Sequence, residues 1–208
     1  MEREMKTKQD VTERLTTLRK IASLKEIKWI ERAVQAHIAS VFMMTGSLST
    51  VKRYVDLFHS HGVPVFLHVD RLGGLVSDRQ GIEYLANHIR PTGIISSKGK
   101  VIRIAAHYRL LTVQRMVLMD QESVDKSIAS IQEFEPDFVQ VMPAILPEWL
   151  ERIHKQVPQV ALIAGGLIDN QSQMQAAIKA GALAVSTSSP SLWDHPLPSI
   201  VPRAKPGQ

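Results

Sequence analysis

Residues 138–189 read FVQVMPAILPEWLERIHKQVPQVALIAGGLIDNQSQMQAAIKAGALAVSTSS. Three short apolar runs, 138–142, 161–164 and 183–186, are separated by two segments of helical period, 147–156 and 170–180. A strand covered on both faces loses the polar alternation of a half-exposed one, so continuous apolar runs of this kind predict parallel strands joined by helices. Pro147 and the pair Asp169-Asn170 suit helix starts, and Gly181 suits a helix stop.

The same unit recurs upstream. Strands are predicted at 21–24, 41–44, 65–69, 93–96 and 111–116, and helices at 28–39, 48–61 (stopped by Gly62), 79–89, 100–108, 122–134 and, after the last strand, 190–193. Most strand starts lie about 20 to 25 residues apart, the length of one strand, one helix and two short loops. Eight such units predict an α/β fold, a closed (β/α)8 barrel of the TIM type. An open doubly wound sheet is the alternative, with fewer strands at this length and two exposed edges. Ahead of the barrel, Asp10 and Glu13 have capping-box spacing, and Val11, Leu15, Leu18 and Ile21 recur at helical intervals. These predict an extra N-terminal helix plugging the barrel. Pro196, Pro198, Pro202 and Pro206 predict an extended or disordered C-terminal tail beyond Trp193. The expected organisation is an extension over 1–20, a barrel over 21–193 and a tail over 194–208.

Composition narrows the class. With 208 residues, 44% of them hydrophobic, the chain builds one sizeable core rather than two enzyme domains. The absence of cysteine excludes disulfides, thiolate metal sites and a cysteine nucleophile. Aromatic residues make up only 5%, which weakens any nucleic-acid reader that stacks several bases. No apolar run reaches the roughly 20 residues of a membrane span, and Met1-Glu2-Arg3-Glu4 does not begin a secretory signal, so a cytoplasmic protein without membrane partners is expected. The formal charge of +5 permits an anionic partner without demanding one.

In a parallel barrel the loops that follow the strands make the site. After the predicted seventh and eighth strands come Gly165-Gly166 and Ser186-Thr187-Ser188. The glycines let backbone amides approach a ligand and the hydroxyl run offers donors at a helix start, a combination suited to phosphate; turn chemistry and capping are the plainer account. Period two along the third strand sends His68 and Asp70 to one face. Asp70 is the candidate for polyol hydroxyls and His68 a member of an internal polar network. Ser96 and Lys98 follow the fourth strand, and of Gln114-Arg115 on the fifth only one can face inward. Gln114 and Lys98 are site candidates beside Ser96, with a buried amide and a rim charge as their ordinary roles. No carboxylate–histidine spacing gathers around His68 and Asp70, so no metal is expected.

Between Glu83 and Asp120 there is no acidic residue, while Arg90, Lys98, Lys100, Arg103, Arg109 and Arg115 are all present. Lys100, Arg103 and His107 fall on one helix face and, with Arg109, are the candidates for contacting nucleic-acid phosphates; a solvated helix face is the plainer account.

Taken together and in order, VFMMTG, VFLHVDRLGGL followed by GIEYL, GIISSKG, TVQRMVLMD, PDFVQVMP, IAGGLI, AGALAVSTS and the SLW ending resemble the glycerol uptake operon antiterminator regulatory protein family over about 21–193. The resemblance implies a (β/α)8 barrel without known catalysis, needing no cofactor, that senses glycerol 3-phosphate. It also implies binding to the leader of a glycerol-metabolism messenger RNA, preventing termination and stabilising the transcript. The phosphate cradle would then hold the effector and the basic stripe would face RNA. The chain departs from the family pattern at Lys25 (usually Arg), Gln140 (usually Glu), Ala144 (usually Gly) and Arg71 (usually apolar). Loss of guanidinium and carboxylate together points to an exchanged Lys25–Gln140 pair. Two other classes remain: a barrel enzyme, lyase or isomerase, acting on a small phosphorylated substrate, with Lys98 as Schiff-base nucleophile and Asp70 as base, and a ligand-binding scaffold working through a protein partner. A homodimer is compatible with either and is the commonest closed assembly.

Overall fold

The computed structural model describes residues 7–197. Eight parallel strands close into a barrel: β1 (Lys20–Leu24), β2 (Ser40–Met43), β3 (Val65–His68), β4 (Gly93–Ser96), β5 (Leu111–Val117), β6 (Phe138–Met142), β7 (Ala161–Gly165) and β8 (Ala184–Thr187). Each strand pairs with the next, and β8 returns to β1 with Ser186 opposite Ile21. Helices α2 (Ile30–Gln35), α3 (Leu48–Ser60), α4 (Arg79–Tyr84), α5 (Gly99–His107), α6 (Gln121–Phe134), α7 (Pro147–Gln156) and α8 (Gln171–Lys179) cover the outside. Caps start the helices where the sequence places them: Asn170 accepts from the Gln173 amide at 3.0 Å, Pro147 opens α7, and the Asp120 carboxylate accepts from the Ser123 amide at 2.8 Å.

Strand alternation sorts the core into two regions. Outward residues such as Val65, Leu67, Ile94, Val139 and Leu162 pack under the helices. Following the ladder pairings around the barrel, the inward residues fall into tiers of four from alternate strands, the arrangement expected of this fold. Ser40, Gly93, Phe138 and Ala184 form the floor. Above them lie Ile21, Phe66, Val113 and Ile163, then Phe42, Ile95, Gln140 and Ser186. The mouth tier is Ser23, His68, Arg115 and Gly165. Apolar character thus gives way to polar groups toward the carboxyl ends of the strands. Phe66 meets Phe42 and Phe138 edge-on, with centroids 5.7 and 6.5 Å apart. Beside Phe66, Gly93 has no room for a Cβ, which would sit 2.6 Å from its ring.

The floor is closed by helix α1 (Lys8–Leu18), whose Val11 and Leu15 join the interior cluster of Phe66 and Phe138. The Arg14 side chain donates to the carbonyls of Ala39 and Ile38 at 2.9 and 3.0 Å. The N-cap is Thr7, with Asp10 at the third helical position, rather than Asp10 with Glu13; the helix ends at a left-handed Arg19, which frees Ile21 for β1. Two further elements are shorter than their sequence periodicity implies. The expected helix over 28–39 contracts to a 3₁₀ turn and α2, because the chain becomes extended at Ala36 and buries Ile38 and Ala39 on entering β2. The expected helix over 190–193 is a single 3₁₀ turn, Pro190–Leu192, before the fully buried Trp193. The start of the expected tail is tied down: Asp194 bonds Arg32 and accepts from the His37 amide at 3.0 Å, and Leu197 packs on the core. The rest of the tail, from 198 on, lies outside the described residues.

Replacing Phe66 with alanine should remove both edge-on ring contacts and leave a cavity at mid-barrel, costing about 3 to 5 kcal/mol. A urea midpoint with unchanged slope measures that loss, and a cost below about 1 kcal/mol would show that the interior tiers do not carry the fold.

Candidate functional site

Above the mouth tier, a cavity of about 290 Å³ is lined by Ser23, Lys25, Met44, Arg115, Gln140, Met142, Asp169 and the two segments Gly166–Ile168 and Ser186–Ser189. Four of the five expected phosphate residues, Gly166, Ser186, Thr187 and Ser188, therefore share one cavity wall. Gly165 lies just beneath. A Cβ on Gly165 would stand 2.5 Å from the Ser186 hydroxyl and 2.7 Å from the Gln140 amide nitrogen, so only glycine fits. Gly166 takes φ of +75°, a backbone conformation open to glycine at little cost. The Thr187 hydroxyl is committed elsewhere, donating to the Ile168 carbonyl at 2.8 Å and accepting from the Ser189 amide at 3.2 Å. It ties the two loops together and presents no free donor.

Arg115 is a candidate site residue that the sequence leaves unranked beside Gln114. Val113 and Arg115 share the inward face of β5, whereas Gln114 turns outward and donates to Ser130 of α6 at 2.8 Å. Gln114 is therefore not brought to the mouth. The Arg115 guanidinium donates from Nε to Gln140 Oε1 at 3.1 Å, and Gln140 Nε2 donates to the Ser186 hydroxyl at 2.8 Å. This chain joins β5, β6 and β8 below the cavity. The expected Lys25–Gln140 exchange is not a bonded pair: both residues line the cavity, but Gln140 is buried and spent on Arg115 and Ser186, while Lys25 is exposed. Arg115 forms no ion pair among the described residues. Burial, then repulsion from Arg71, pulls its pKa down to about 10, with Asp70 opposing.

Asp70, Ser96 and Lys98 assemble separately, on the β3–β4 rim. A 3₁₀ turn over Val69–Arg71 breaks the alternation that would have kept Asp70 on the face of His68. Its carboxylate instead accepts from the Ser96 hydroxyl at 2.9 Å and the Ser97 amide at 3.1 Å, with Lys98 Nζ at 3.4 Å. No histidine, aspartate or glutamate cluster suited to a metal occurs among the described residues.

The basic candidates Lys100, Arg103 and His107 lie exposed on α5, with Arg109 in the turn beyond it. Arg103 stacks over Phe134 and bonds Glu133 at 3.3 Å, so part of its charge is compensated. A hollow of about 220 Å³ between α4 and α5 is lined by Arg79, Arg103, Ile104, His107 and Tyr108, and Arg79 donates to the Tyr108 hydroxyl at 3.3 Å. Arg79 and Tyr108 escaped the sequence reading because they flank the acid-free stretch or belong to its aromatic minority.

His68 is 4% exposed, and its pKa falls to about 4, through burial first and then the charge of Arg115. A ring that stays neutral when folded but protonates near 6.5 when unfolded makes the unfolded state the better proton binder between those values. Stability should therefore rise with pH from about 4 to about 6.5 and be lost as pH falls through that window, by about 3 kcal/mol from this group. Urea midpoints at pH 7 and pH 4 should converge in His68→Leu relative to the parent protein; equal falls in both would contradict the assignment.

A profile for the family described as "Glycerol-3-phosphate responsive antiterminator" matches residues 20–193. Among solved structures, the glycerol uptake operon antiterminator regulatory protein from Listeria monocytogenes superposes with a TM-score of 0.82 at 31% identity, over 85% of this chain and 95% of that one. A glycerol uptake operon antiterminator-related protein from Thermotoga maritima gives 0.73 at 24%, over 84% and 96%. An uncharacterized Escherichia coli protein, YgcP, is 26% identical over 83% of this chain and 90% of its own length. Deoxyribose phosphate aldolase from Aeropyrum pernix, at 14% identity, TM-score 0.64 and coverage of 91% and 92%, shares the fold alone.

Proposed function

The chain belongs to the glycerol-3-phosphate responsive antiterminator family, and on that premise we propose that glycerol 3-phosphate, seated in the mouth cavity, controls its grip on the leader of a glycerol-metabolism messenger RNA. Bound protein then prevents termination and stabilises the transcript. The observation that carries the effector half is Arg115: a half-buried guanidinium bonded to an amide oxygen and a thioether, with no carboxylate bonded to it among the described residues. A phosphate supplies that missing charge, and guanidinium–phosphate bonds are roughly twice as strong as neutral ones. Gly166 and Ser188 on the facing loops complete a cradle of the kind barrels build after their seventh and eighth strands.

The RNA half rests on the exposed face of α5. Lys100, Arg103, His107 and Arg109, joined by Arg79 and Tyr108 around the hollow, offer cations interleaved with one ring. Effector and RNA need a shared element that senses both, and α5 is placed for this role. It begins one residue after Lys98 of the β3–β4 rim and leads directly into β5, which carries Arg115. Gly99 packs against Phe134 of α6 with no space for a Cβ, so α5 and α6 lie tightly together beside β5. A coupling of about 1 to 3 kcal/mol between the two ligands is typical of such linkage, and it must act in both directions.

Calorimetry should detect glycerol 3-phosphate binding to the parent protein, and Arg115→Met should weaken it by about tenfold or more, the loss of a charge-assisted pair. Absence of binding to the parent protein would remove the sensor reading. In a gel shift with a terminator-containing leader RNA, the effector should tighten binding. Lys100→Glu with Arg103→Glu should weaken every RNA tested and make the slope of log affinity against log salt shallower by about two. An unchanged slope would clear α5 of the RNA contact.

A further inference from the structure

His68 is a buried histidine whose Nδ1 and Nε2 both lack a hydrogen-bond partner. Leaving a buried polar atom unpaired costs stability, so a ring with two orphaned nitrogens is an anomaly in an ordinary core position. Its place in the barrel shows where the partners belong. Phe66, two residues earlier on β3, lies in the interior cluster, and the ladder register puts His68 in the mouth tier with Ser23, Arg115 and Gly165. Two of its three companions, Ser23 and Arg115, line the mouth cavity, and His68 sits in the same tier just behind that lining.

The Arg115 Nη2 donates to the sulfur of Met44, the residue just past β2, at 3.7 Å. A thioether is a weak acceptor, and a phosphate oxygen in the cavity is a far better partner for the same N–H. The rim carboxylate is no competitor for ligand hydroxyls, because Asp70 already receives Ser96, Ser97 and Lys98.

We propose that His68 is a specificity-determining residue for the effector, exchanging hydrogen bonds with a hydroxyl of an anionic polyol whose phosphate is held by Arg115. The inference rests on the sensor reading above and adds which end of the ligand is read, and by what. A neutral imidazole offers one donor and one acceptor, the complement of an alcohol, which donates and accepts in turn; a phosphate oxygen offers acceptors only and suits the guanidinium. Ligand hydroxyls therefore sort to β3 and ligand charge to β5 and the β7–β8 loops. A phosphate ester without hydroxyls leaves the ring nitrogens unpaired and gains nothing from His68.

The test is calorimetry with sn-glycerol 3-phosphate and with n-propyl phosphate, which keeps the chain length and the charge but has no hydroxyls. The parent protein should prefer the polyol ester by about tenfold, as expected of hydrogen bonds formed in a buried site. His68→Leu, close in volume and without polar atoms, should bind n-propyl phosphate as the parent does while its preference falls to within about twofold. His68→Gln, with one amide donor and one acceptor, should restore part of the preference. His68→Leu should also be no less stable than the parent at pH 7, because it removes two unpaired nitrogens. Retention of the full preference in His68→Leu, or an equal loss for both esters, would overturn the role of His68. Equal affinities for the two esters in the parent protein would overturn it too while leaving the sensor reading intact, and binding of neither would end both.

Discussion

A guanidinium held at the mouth of a closed barrel without a carboxylate partner is the constraint around which the site is arranged. Arg115 is fixed from one side by the Gln140 amide oxygen and from the other by the Met44 sulfur. Removing charge from water is costly, and neutral acceptors return only part of the cost. The depressed pKa of Arg115, caused first by burial, records the deficit. Burial first, and then the same charge, keep His68 neutral. A cation without a bonded carboxylate thus stands in the same tier as a neutral imidazole two strands away.

Barrel closure makes this arrangement rigid. The pairing of β8 with β1 brings the Ser186–Ser189 segment beside Ser23 and Lys25, and the β7–β8 pairing brings it beside Gly165. Thr187 then binds the Ile168 carbonyl, and the Trp193 indole donates to the Thr187 carbonyl at 3.0 Å. The cradle is braced from outside by a fully buried tryptophan and from inside by the Gln140–Ser186 bond. Gly165 is the point at which these supports meet, and its missing side chain is what lets Gln140 reach Ser186. An open sheet would leave the first and last strands apart and could not assemble that wall.

The fold was legible because continuity of apolar runs and the recurrence of strand-to-helix spacing are properties of the chain itself. The clustering of Gly166 with Ser186, Thr187 and Ser188 followed from strand adjacency alone. Other features depended on phase, which alternation cannot supply. In LTVQRMV, odd and even positions are equally credible as the inner face, and burying an arginine while sending a glutamine to the helices runs against ordinary burial preferences. Asp70 was misplaced for a different reason: two residues after an inward position predicts the same face only while the chain stays extended, and the 3₁₀ turn at Val69–Arg71 ends that regime. The unpaired nitrogens of His68 are an absence of partners, which no sequence pattern displays.

Lys98, which follows β4 on the β3–β4 rim, is the residue that the sequence offers as a Schiff-base nucleophile. A Schiff-base lysine needs its amine deprotonated, which proteins achieve by burying it in apolar surroundings or setting it against another cation. Lys98 has neither condition: its side chain is 64% exposed and its ammonium stands 3.4 Å from the Asp70 carboxylate. That carboxylate also accepts from the Ser96 hydroxyl and the Ser97 amide, so Lys98 and Asp70 belong to one bonded rim cluster. The cation that the barrel does desolvate is Arg115, and a guanidinium retains its proton under all physiological conditions. The half-buried cation at the mouth is thus a group suited to holding an anion rather than to attacking a carbonyl.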